Sequence, residues 1–242
     1  MLLRRLCEYG KFLKSLWLTN WRLLRGMWQL TRFPKPAITV FGGARIEADS
    51  QFGLLARELT KKLATHGFTI LTGGGPGIME AANEGALDSL DECPVDDKRC
   101  RNRLLSAGIG LVRLNKETAN KYVQANIVME HFFARKWLLV RYSIGFVVCP
   151  GGFGTLDELF EVVTLVQCNR MKKIPVILMN RAYWQPLMNW VDQQAVPNGL
   201  IAPEDKQIIT VVDTVDEAFN FLVQYCKETN QPLNDNHTHG NN

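Results

Sequence analysis

The sequence has few residues of the types that build metal centres. It contains six cysteines and four histidines in 242 residues, and none of the cysteines forms a Cys-x-x-Cys pair or a zinc-binding spacing. No metal site is therefore expected, and the cytoplasm, where thiols stay reduced, is the expected location. The sequence also has no apolar run near the roughly 18 residues that a transmembrane helix needs. A membrane-spanning anchor is not expected either.

Complete nucleotide-binding fingerprints are absent as well. Two glycine-rich turns occur, Gly-Gly-Gly-Pro-Gly at residues 73–77 and Pro-Gly-Gly-Phe-Gly-Thr-Leu-Asp-Glu at residues 150–158. The first turn lacks the Gly-x-Gly-x-x-Gly pattern, and neither turn is followed by Gly-Lys-Ser/Thr. NAD and ATP are therefore poor candidates for the ligand.

Both turns nevertheless have the surroundings of a phosphate site, since each follows an apolar strand pattern and precedes a helical one. Glycines let a ligand approach the backbone, and the N–H groups at a helix N-terminus favour a phosphate. A single cluster of this kind is equally well explained as a tight turn, but two clusters at the same sheet edge favour a ligand site. Glu158 would be repelled by a phosphate unless it faces another part of the ligand. The pattern therefore indicates chemistry on a phosphorylated sugar.

Strand and helix patterns alternate along most of the chain. Such alternation predicts an α/β fold, here a Rossmann-like open, mostly parallel twisted sheet with helices on both faces. With 46% hydrophobic residues, the chain can bury a sizeable core. Residues 36–228 are expected to form a nucleotide-binding catalytic domain, followed by a disordered polar tail at 229–242. The predicted strands are 37–42, 68–72, 107–114, 144–149, 174–179 and 208–212. The predicted helices are 50–66, 76–90, 128–143, 156–168, 184–195 and 215–227.

Residues 1–35 form a basic amphipathic segment, predicted to be a helical extension of the domain. They carry eight lysines and arginines against one acidic residue, Glu8, for a net charge of +7. Leucines and tryptophans recur at helical spacing in two neighbouring stripes. Packing on the domain or on a neighbouring subunit is the favoured interpretation, a membrane-surface role is a weaker alternative, and nucleic acid is weaker still. Pro34 and Pro36 are expected to form a linker, so that a chain lacking residues 1–33 would still fold.

Several motifs resemble those of the LOG (Lonely Guy) family. Its members are often mislabelled as lysine decarboxylases and resemble nucleoside 5′-monophosphate phosphoribohydrolases, including those that act on cytokinin riboside monophosphates. The family signature, Pro-Gly-Gly-x-Gly-Thr-x-x-Glu, is matched at residues 150–158. Further matches lie at 40–44, 73–80, 132–136 and 159–167, and Phe132-Phe133 resembles the longer bacterial-type branch. Residues 91–103, which contain Cys93 and Cys100, look like an insertion and are expected to form an exposed loop.

The resemblance implies an activity and assigns roles to individual residues. It implies that the chain hydrolyses the N-glycosidic bond of an AMP-like or cytokinin-like nucleoside monophosphate, with Arg135 and Glu158 as catalytic residues. A homodimer or a higher homo-oligomer is implied as well, while no metal or organic cofactor is needed. The implied substrate-binding residues are Gly43, Gly74, Gly75, Gly77, Glu117, Lys136, Gly152, Phe153, Gly154, Thr155 and Thr164.

Two other functions have some support from the same resemblance. Related Rossmann-like proteins with this glycine turn include molybdenum-cofactor carriers, which hold a phosphorylated ligand without cleaving it. The presence of both Arg135 and Glu158 favours hydrolysis over a carrier function. A lysine decarboxylase would use a lysine Schiff base with pyridoxal phosphate, and no lysine stands out for that role.

Overall fold

A seven-stranded, fully parallel sheet forms the centre of the molecule. The computed structural model describes residues 2–34, 36–94, 96–112 and 119–230, with only the backbone for residues 2–7 and 11. The order of the strands across the sheet is β4-β3-β2-β1-β5-β6-β7. The predicted fold class is confirmed. The strands are β1 Ala37–Phe41, β2 Thr69–Thr72, β3 Ser106–Leu111, β4 Ala125–Met129, β5 Gly145–Val148, β6 Val176–Met179 and β7 Ile209–Val212.

Helices cover both faces of this sheet. The helices are α1 Leu2–Leu30, α2 Gln51–Thr65, α3 Ile78–Asp88, α4 Lys98–Arg101, α5 Phe132–Arg141, α6 Phe153–Gln167, α7 Arg181–Trp190 and α8 Val215–Glu228. Short 3-10 segments occur at Ser89–Glu92 and Pro203–Ile208, and a π-helical turn at Val191–Ala195 continues α7. The tail predicted at 229–242 lies outside the described residues from position 231 onwards.

Two hydrophobic clusters, one on each face of the sheet, make up the core. One cluster joins the sheet to α2, α3 and α8, and the other joins it to α1, α5, α6 and α7. Every residue of the central strands β1, β2, β5 and β6 is buried, as expected for parallel strands with helices on both sides. This explains why the sequence reads as continuous apolar runs at these strands.

The direction of strand order changes between β1 and β5, which are neighbours in the sheet although three strands separate them in the chain. Loops on the two sides of such a switch point diverge and leave a crevice at the carboxyl edge of the sheet. The glycine turn at 150–158 follows β5, and Gly43 follows β1. The backbone N–H of Gly43 donates to the carbonyl of Pro150 at 3.0 Å. Both loops therefore meet at the edge where the sequence predicts the ligand.

Strand β4 was not predicted, and the helix after it begins later than predicted. The predicted helix at 128–143 begins only at Phe132, because Ala125–Met129 pair in parallel with β3. β4 lies at the edge of the sheet, where Asn126 and Val128 are exposed while Ile127 and Met129 are buried. A five-residue strand with only two inward residues has too little hydrophobic periodicity to be distinguished from the start of a helix.

Helix α1 is present as predicted, but its second half belongs to the core of the domain. Leu30 and Phe33 are buried in the same cluster as β4 and α5. Gly26 lies so close to β4 that an added Cβ would approach the side chains of Ile127 and Met129 to 2.9 Å. A chain lacking residues 1–33 would lose the part of this cluster that Leu30 and Phe33 form, and whether such a chain folds stays a prediction. None of the described helices is long and apolar enough to cross a membrane.

A pair of identical substitutions in α1 tests this packing. We expect Leu30→Ala to lower the free energy of unfolding by about 2–5 kcal/mol, because it leaves a cavity beside buried side chains. Leu24→Ala on the same helix should change it by less than about 0.5 kcal/mol, since Leu24 is 65% exposed and Leu30 only 3%. Urea unfolding of both variants measures the difference. Equal losses would contradict the placement of Leu30 in the core.

The segment at 91–103 is largely exposed, as predicted, but contains more structure than a plain loop. A disulfide joins Cys93 to Cys100, with their Cα atoms 5.7 Å apart, and the single-turn helix α4 begins after Asp97. This disulfide departs from the expectation that the thiols stay reduced, and the cysteine spacing does not predict it, because Cys-x6-Cys is not a metal or redox motif. Arg103 anchors the end of the segment by donating to the carbonyl of Ala64 at 3.2 Å.

Candidate active site

A buried ion pair lies at the carboxyl edge of the sheet. Arg135 Nη1 donates to Glu158 Oε1 at 2.6 Å, and the side chains are only 13% and 11% exposed. Arg135 comes from the first turn of α5, after β4, and Glu158 from the second turn of α6, after β5. The two residues that the resemblance marks as catalytic are thus in direct contact.

The backbone fixes the position of the Arg135 guanidinium. Its Nε donates to the carbonyl of Ile109 in β3 at 2.8 Å. Its Nη2 lies beside Gly73, where an added Cβ would approach to 2.3 Å. Any larger residue at position 73 would displace the guanidinium. Gly73 therefore serves the ion pair as well as the turn.

The environment of Glu158 changes its acidity. Burial raises the pKa of the Glu158 carboxyl, and the nearby Arg135 guanidinium offsets part of this rise. Taking a carboxylate out of water disfavours the charged form, whereas a cation in contact favours it. A carboxyl group with a raised pKa at the edge of a cleft is a common feature of catalytic sites.

The start of α6 offers an open surface to a ligand. Gly152 caps the helix without a side-chain hydrogen bond. Cβ atoms added at Gly152 or Gly154 would meet nothing within 4 Å, so protein packing does not explain these two glycines. The N–H groups of this first turn suit a phosphate. Glu158 lies one turn further along, about 6 Å from Gly154 along the helix axis, and helical side chains tilt towards the N-terminus.

A buried network of hydrogen bonds holds the glycine turn after β2. Asn83, in α3, accepts from Thr72 Oγ1 at 2.7 Å and from Asn120 Nδ2 at 3.0 Å. Asn120 Nδ2 also donates to the carbonyl of Gly75 at 2.9 Å. The Gly74 N–H donates to Thr72 Oγ1 at 2.9 Å, with a φ of +75° that favours glycine. These contacts fix the conformation of the turn beside Arg135.

Close backbone contacts join the turns after β1 and β2. The N–H of Ile78 donates to the carbonyl of Gly43 at 3.2 Å. Gly77 has a φ of +73°, and a Cβ there would come within 2.5 Å of the same carbonyl. The structure thus brings Gly43, Gly74, Gly75 and Gly77 to the same edge as the ion pair.

Two of the predicted substrate residues lie away from the glycines of the turns, and a third lies outside the described residues. Lys136 and Thr164 line an open hollow of about 770 Å³ between α5 and α6, which includes neither Arg135, Glu158 nor any of the glycines of the two turns. Burial lowers the pKa of Lys136, but ion pairs with Asp157 and Glu161, in which nitrogen and oxygen are 2.8 and 2.7 Å apart, outweigh this and raise the pKa overall. Glu117 lies outside the described residues.

Two predicted substrate residues, Phe153 and Thr155, lie in the turn after β5, and an unpredicted residue from α7 contacts the same turn. Phe153 is exposed, whereas the Thr155 side chain is buried against Gly151. Tyr183, from α7, donates its hydroxyl to the carbonyl of Gly151 at 2.5 Å. The sequence does not predict the contact of Tyr183, because this residue lies on α7, after β6, whereas the turn follows β5.

Asn83 could have been predicted, because it is a polar residue on the apolar face of a helix.

Comparison with protein families finds two models along the chain. A model described as "Possible lysine decarboxylase" matches residues 79–222, and one described as "SLOG cluster4 family" matches residues 35–92.

Among the described residues, no group of three or more histidine, cysteine, aspartate or glutamate side chains could hold a metal ion.

Curated relatives share moderate identity over most of their length. A "Probable cytokinin riboside 5′-monophosphate phosphoribohydrolase" of Arabidopsis thaliana is 30% identical over 206 residues, which cover 83% of this chain and 92% of the relative. A protein of the same description from Oryza sativa subsp. japonica is 29% identical, with 81% and 87% covered. A "Cytokinin riboside 5′-monophosphate phosphoribohydrolase" of Rhodococcoides fascians is 26% identical, with 76% and 88% covered.

Solved structures with the same fold include a molybdenum cofactor binding protein and a molybdenum cofactor carrier protein. The molybdenum cofactor binding protein of the phototrophic bacterium Rippkaea orientalis is 23% identical with a TM-score of 0.52, covering 78% of this chain and 96% of its own. The molybdenum cofactor carrier protein of Chlamydomonas reinhardtii is 24% identical with a TM-score of 0.53, covering 80% and 99%. These similarities show the fold alone.

Proposed function

Because this chain belongs to the LOG family, whose model is described as "Possible lysine decarboxylase", we propose that it hydrolyses the N-glycosidic bond of a nucleoside 5′-monophosphate. The products would be a free base and ribose 5-phosphate. The observation that carries this proposal is the buried contact between Arg135 and Glu158, one helical turn beyond an open glycine-rich helix start. The names of the curated relatives support the same reaction.

Glu158 has the chemistry that the sugar requires. Cleavage of a glycosidic bond passes through an oxocarbenium-like state with positive charge on the ring. A carboxylate near C1′ stabilises that charge and can hold the attacking water. Arg135 cannot act as a base, because its pKa is too high for it to release a proton. Its role is to orient the Glu158 carboxylate, which it contacts at 2.6 Å.

The glycine turns supply binding energy away from the reacting carbon. A 5′-phosphate held by the first turn of α6 would place the ribose next to Glu158. Such remote binding positions the substrate for attack and is used to accelerate the reaction. A nucleoside without the phosphate should therefore be a poor substrate.

The lysine next to the ion pair does not suit Schiff-base chemistry with pyridoxal phosphate. A Schiff-base lysine must supply a neutral amine, which usually requires a lowered pKa. Burial lowers the pKa of Lys136, but its ion pairs with Asp157 and Glu161 outweigh this effect and leave the pKa raised. These contacts favour the charged form, so Lys136 does not fit the role of a Schiff-base lysine for that cofactor.

The test of this proposal is the release of base from a panel of nucleotides. Purified protein is incubated with AMP, GMP, CMP, UMP and a cytokinin riboside 5′-monophosphate, and free base and ribose 5-phosphate are quantified. Adenosine serves as the unphosphorylated control. Tight binding of a phosphorylated ligand with no base released from any nucleotide would support a carrier function, such as transport of the molybdenum cofactor, and would refute hydrolysis.

We also propose that the protein is at least a homodimer, with α5 in the interface. Phe132, Phe133 and Phe160 are exposed around the hollow between α5 and α6, and large exposed apolar patches commonly mark protein interfaces. Light scattering should give at least two chains of 27.4 kDa. Phe133→Asp should reduce the mass to one chain, while Trp190→Asp, at an exposed site on α7, should leave it unchanged. A monomeric wild-type protein would rule out this assembly.

The pH dependence of turnover should reflect the acidity of Glu158. If the charged carboxylate is the active form, activity is present above its pKa and is lost as the pH falls through that value. Since burial raises this pKa in the free protein, the acid limb of kcat/KM should lie above the ordinary glutamate value of about 4.3. The substrate phosphate also titrates, near pH 6. The Glu158→Gln variant has no carboxyl at position 158, so its residual activity should show only the titration of the substrate phosphate. Comparing its pH profile with that of the wild type therefore separates the two titrations. Identical acid limbs in both proteins would contradict the assignment.

A further inference from the structure

Helix α1 has two apolar faces, and the domain uses only one of them. Gly26 and Leu30 lie on the inner face, against β4 and α5. Trp17 is nine residues before Gly26, which is two and a half turns, so it points away from the domain. It begins an outer stripe of large side chains spaced four, three and four residues apart. This outer tryptophan stripe consists of Trp17, Trp21, Leu24 and Trp28, which are 66%, 48%, 65% and 64% exposed.

Positive charge accompanies the outer tryptophan stripe. The guanidinium of Arg25 lies 5.5 Å from the ring centre of Trp21, and that of Arg32 lies 5.5 Å from the ring centre of Trp28. Lys14 is exposed on the same border of the stripe. Residues 1–35 contain a single acidic residue, Glu8, whereas the rest of the chain has a net charge of −3. The exposed apolar surface is therefore bordered by cations.

A second copy of α1 is a poor occupant for this stripe. Two helices that pair along an apolar seam usually place acidic residues opposite basic ones. Here two copies would bring Lys14, Arg25 and Arg32 against the same three cations, with Glu8 as the single acidic side chain in the segment. Like charges that face each other destabilise such a contact. The surface is better matched by a partner that is both apolar and anionic.

We propose that the outer face of α1 binds the surface of a membrane that contains anionic lipids. Tryptophan rings prefer the headgroup layer, where an apolar body and a polar N–H are both accommodated. Helices with lysine and arginine beside tryptophan and leucine lie in this layer without crossing the bilayer. The cations would contact lipid phosphates, and the tryptophans would enter the boundary with the acyl chains.

The surface continues beyond α1 onto the edge of the sheet. Trp21 and Arg25 line a hollow of about 310 Å³ together with Val112 and Val128, both of which are partly exposed. On its inner side, α1 is fixed to the start of α5 by two polar contacts. Ser15 Oγ lies 3.1 Å from His131 Nε2, and Arg22 pairs with Glu130 at 3.3 Å. These two contacts join α1 to the residues just before α5, the helix that carries Arg135. A membrane bound at α1 would therefore lie against the same face of the domain.

Vesicle co-sedimentation of the full-length protein tests this proposal. We expect binding to vesicles of phosphatidylglycerol and phosphatidylcholine at low salt, weaker binding at high salt, and little binding to pure phosphatidylcholine. Replacing Trp17, Trp21 and Trp28 together by serine should weaken binding at least tenfold. Replacing Lys14, Arg25 and Arg32 together by glutamine should weaken it on the order of a hundredfold, since each cation at an anionic surface contributes about fivefold. All six side chains are exposed, and circular dichroism would show that the variants fold.

A matched charge control uses basic residues far along the chain. Arg170, Lys172 and Lys173 are also exposed, and their joint replacement by glutamine should leave vesicle binding within about twofold of wild type. Equal losses in both triple-glutamine variants would show general charge attraction and overturn the proposal, as would wild-type protein that ignores anionic vesicles. If the wild type ignores vesicles and the serine variant forms a smaller assembly in light scattering, the stripe instead binds another copy of the chain.

Discussion

Replacing Glu158 by glutamine is expected to lower kcat for base release by about a thousandfold, which corresponds to ~4 kcal/mol of transition-state stabilisation. The substitution keeps the size and shape of a side chain that is 11% exposed. It removes the negative charge that matches the oxocarbenium-like state. Because this charge develops in the transition state, binding of the ground-state nucleotide should change much less.

The measurement for Glu158→Gln combines single-turnover kinetics with calorimetric binding of AMP. Arg135 Nη1 can still donate to the amide oxygen of the glutamine, so the local packing should persist. Glu58→Gln, which removes a carboxylate from an exposed position on α2, is the matched control and should retain wild-type turnover. Turnover of Glu158→Gln within a few-fold of wild type would remove Glu158 from the mechanism.

Replacing Arg135 by alanine is expected to reduce both stability and activity. Glu158 would then be a buried carboxylate without its cation, and the Ile109 carbonyl would lose the donor that reaches it at 2.8 Å. Breaking a buried ion pair in this way costs about 3–5 kcal/mol of folding free energy. We also expect kcat/KM to fall by about a thousandfold, because the carboxylate loses the group that orients it.

A second substitution separates the structural and catalytic effects of Arg135. Arg135→Ala combined with Glu158→Gln removes both charges, so the double variant should recover much of the stability lost by Arg135→Ala alone. Its turnover should remain as low as that of Glu158→Gln. Urea unfolding measures the first quantity and base release the second. If Arg135→Ala folds with wild-type stability and hydrolyses AMP at the wild-type rate, the ion pair has neither role.

The sequence alone was sufficient for the fold class and for the elements that carry the site. Six of the seven strands were predicted, and four of them, β1, β2, β5 and β6, are continuous apolar runs because parallel strands covered on both faces are buried along their whole length. Both glycine turns are visible because backbone approach and positive φ values require glycine at particular positions. The signature at 150–158 is sufficient to identify Glu158 as a site residue.

Only the tertiary structure decided which of these parts meet. The contact between Arg135 and Glu158 depends on the order of β4 and β5 in the sheet, since a periodic pattern reports which side of an element is buried and not which loops converge. The same limit applies to Tyr183, whose partner Gly151 is 32 residues earlier in the chain. It also applies to the inner face of α1, where Gly26 lies against Ile127 and Met129. The position of Lys136 in the neighbouring hollow has a related cause. Adjacent residues on a helix point about 100° apart, so the neighbour of a site residue faces a different surface.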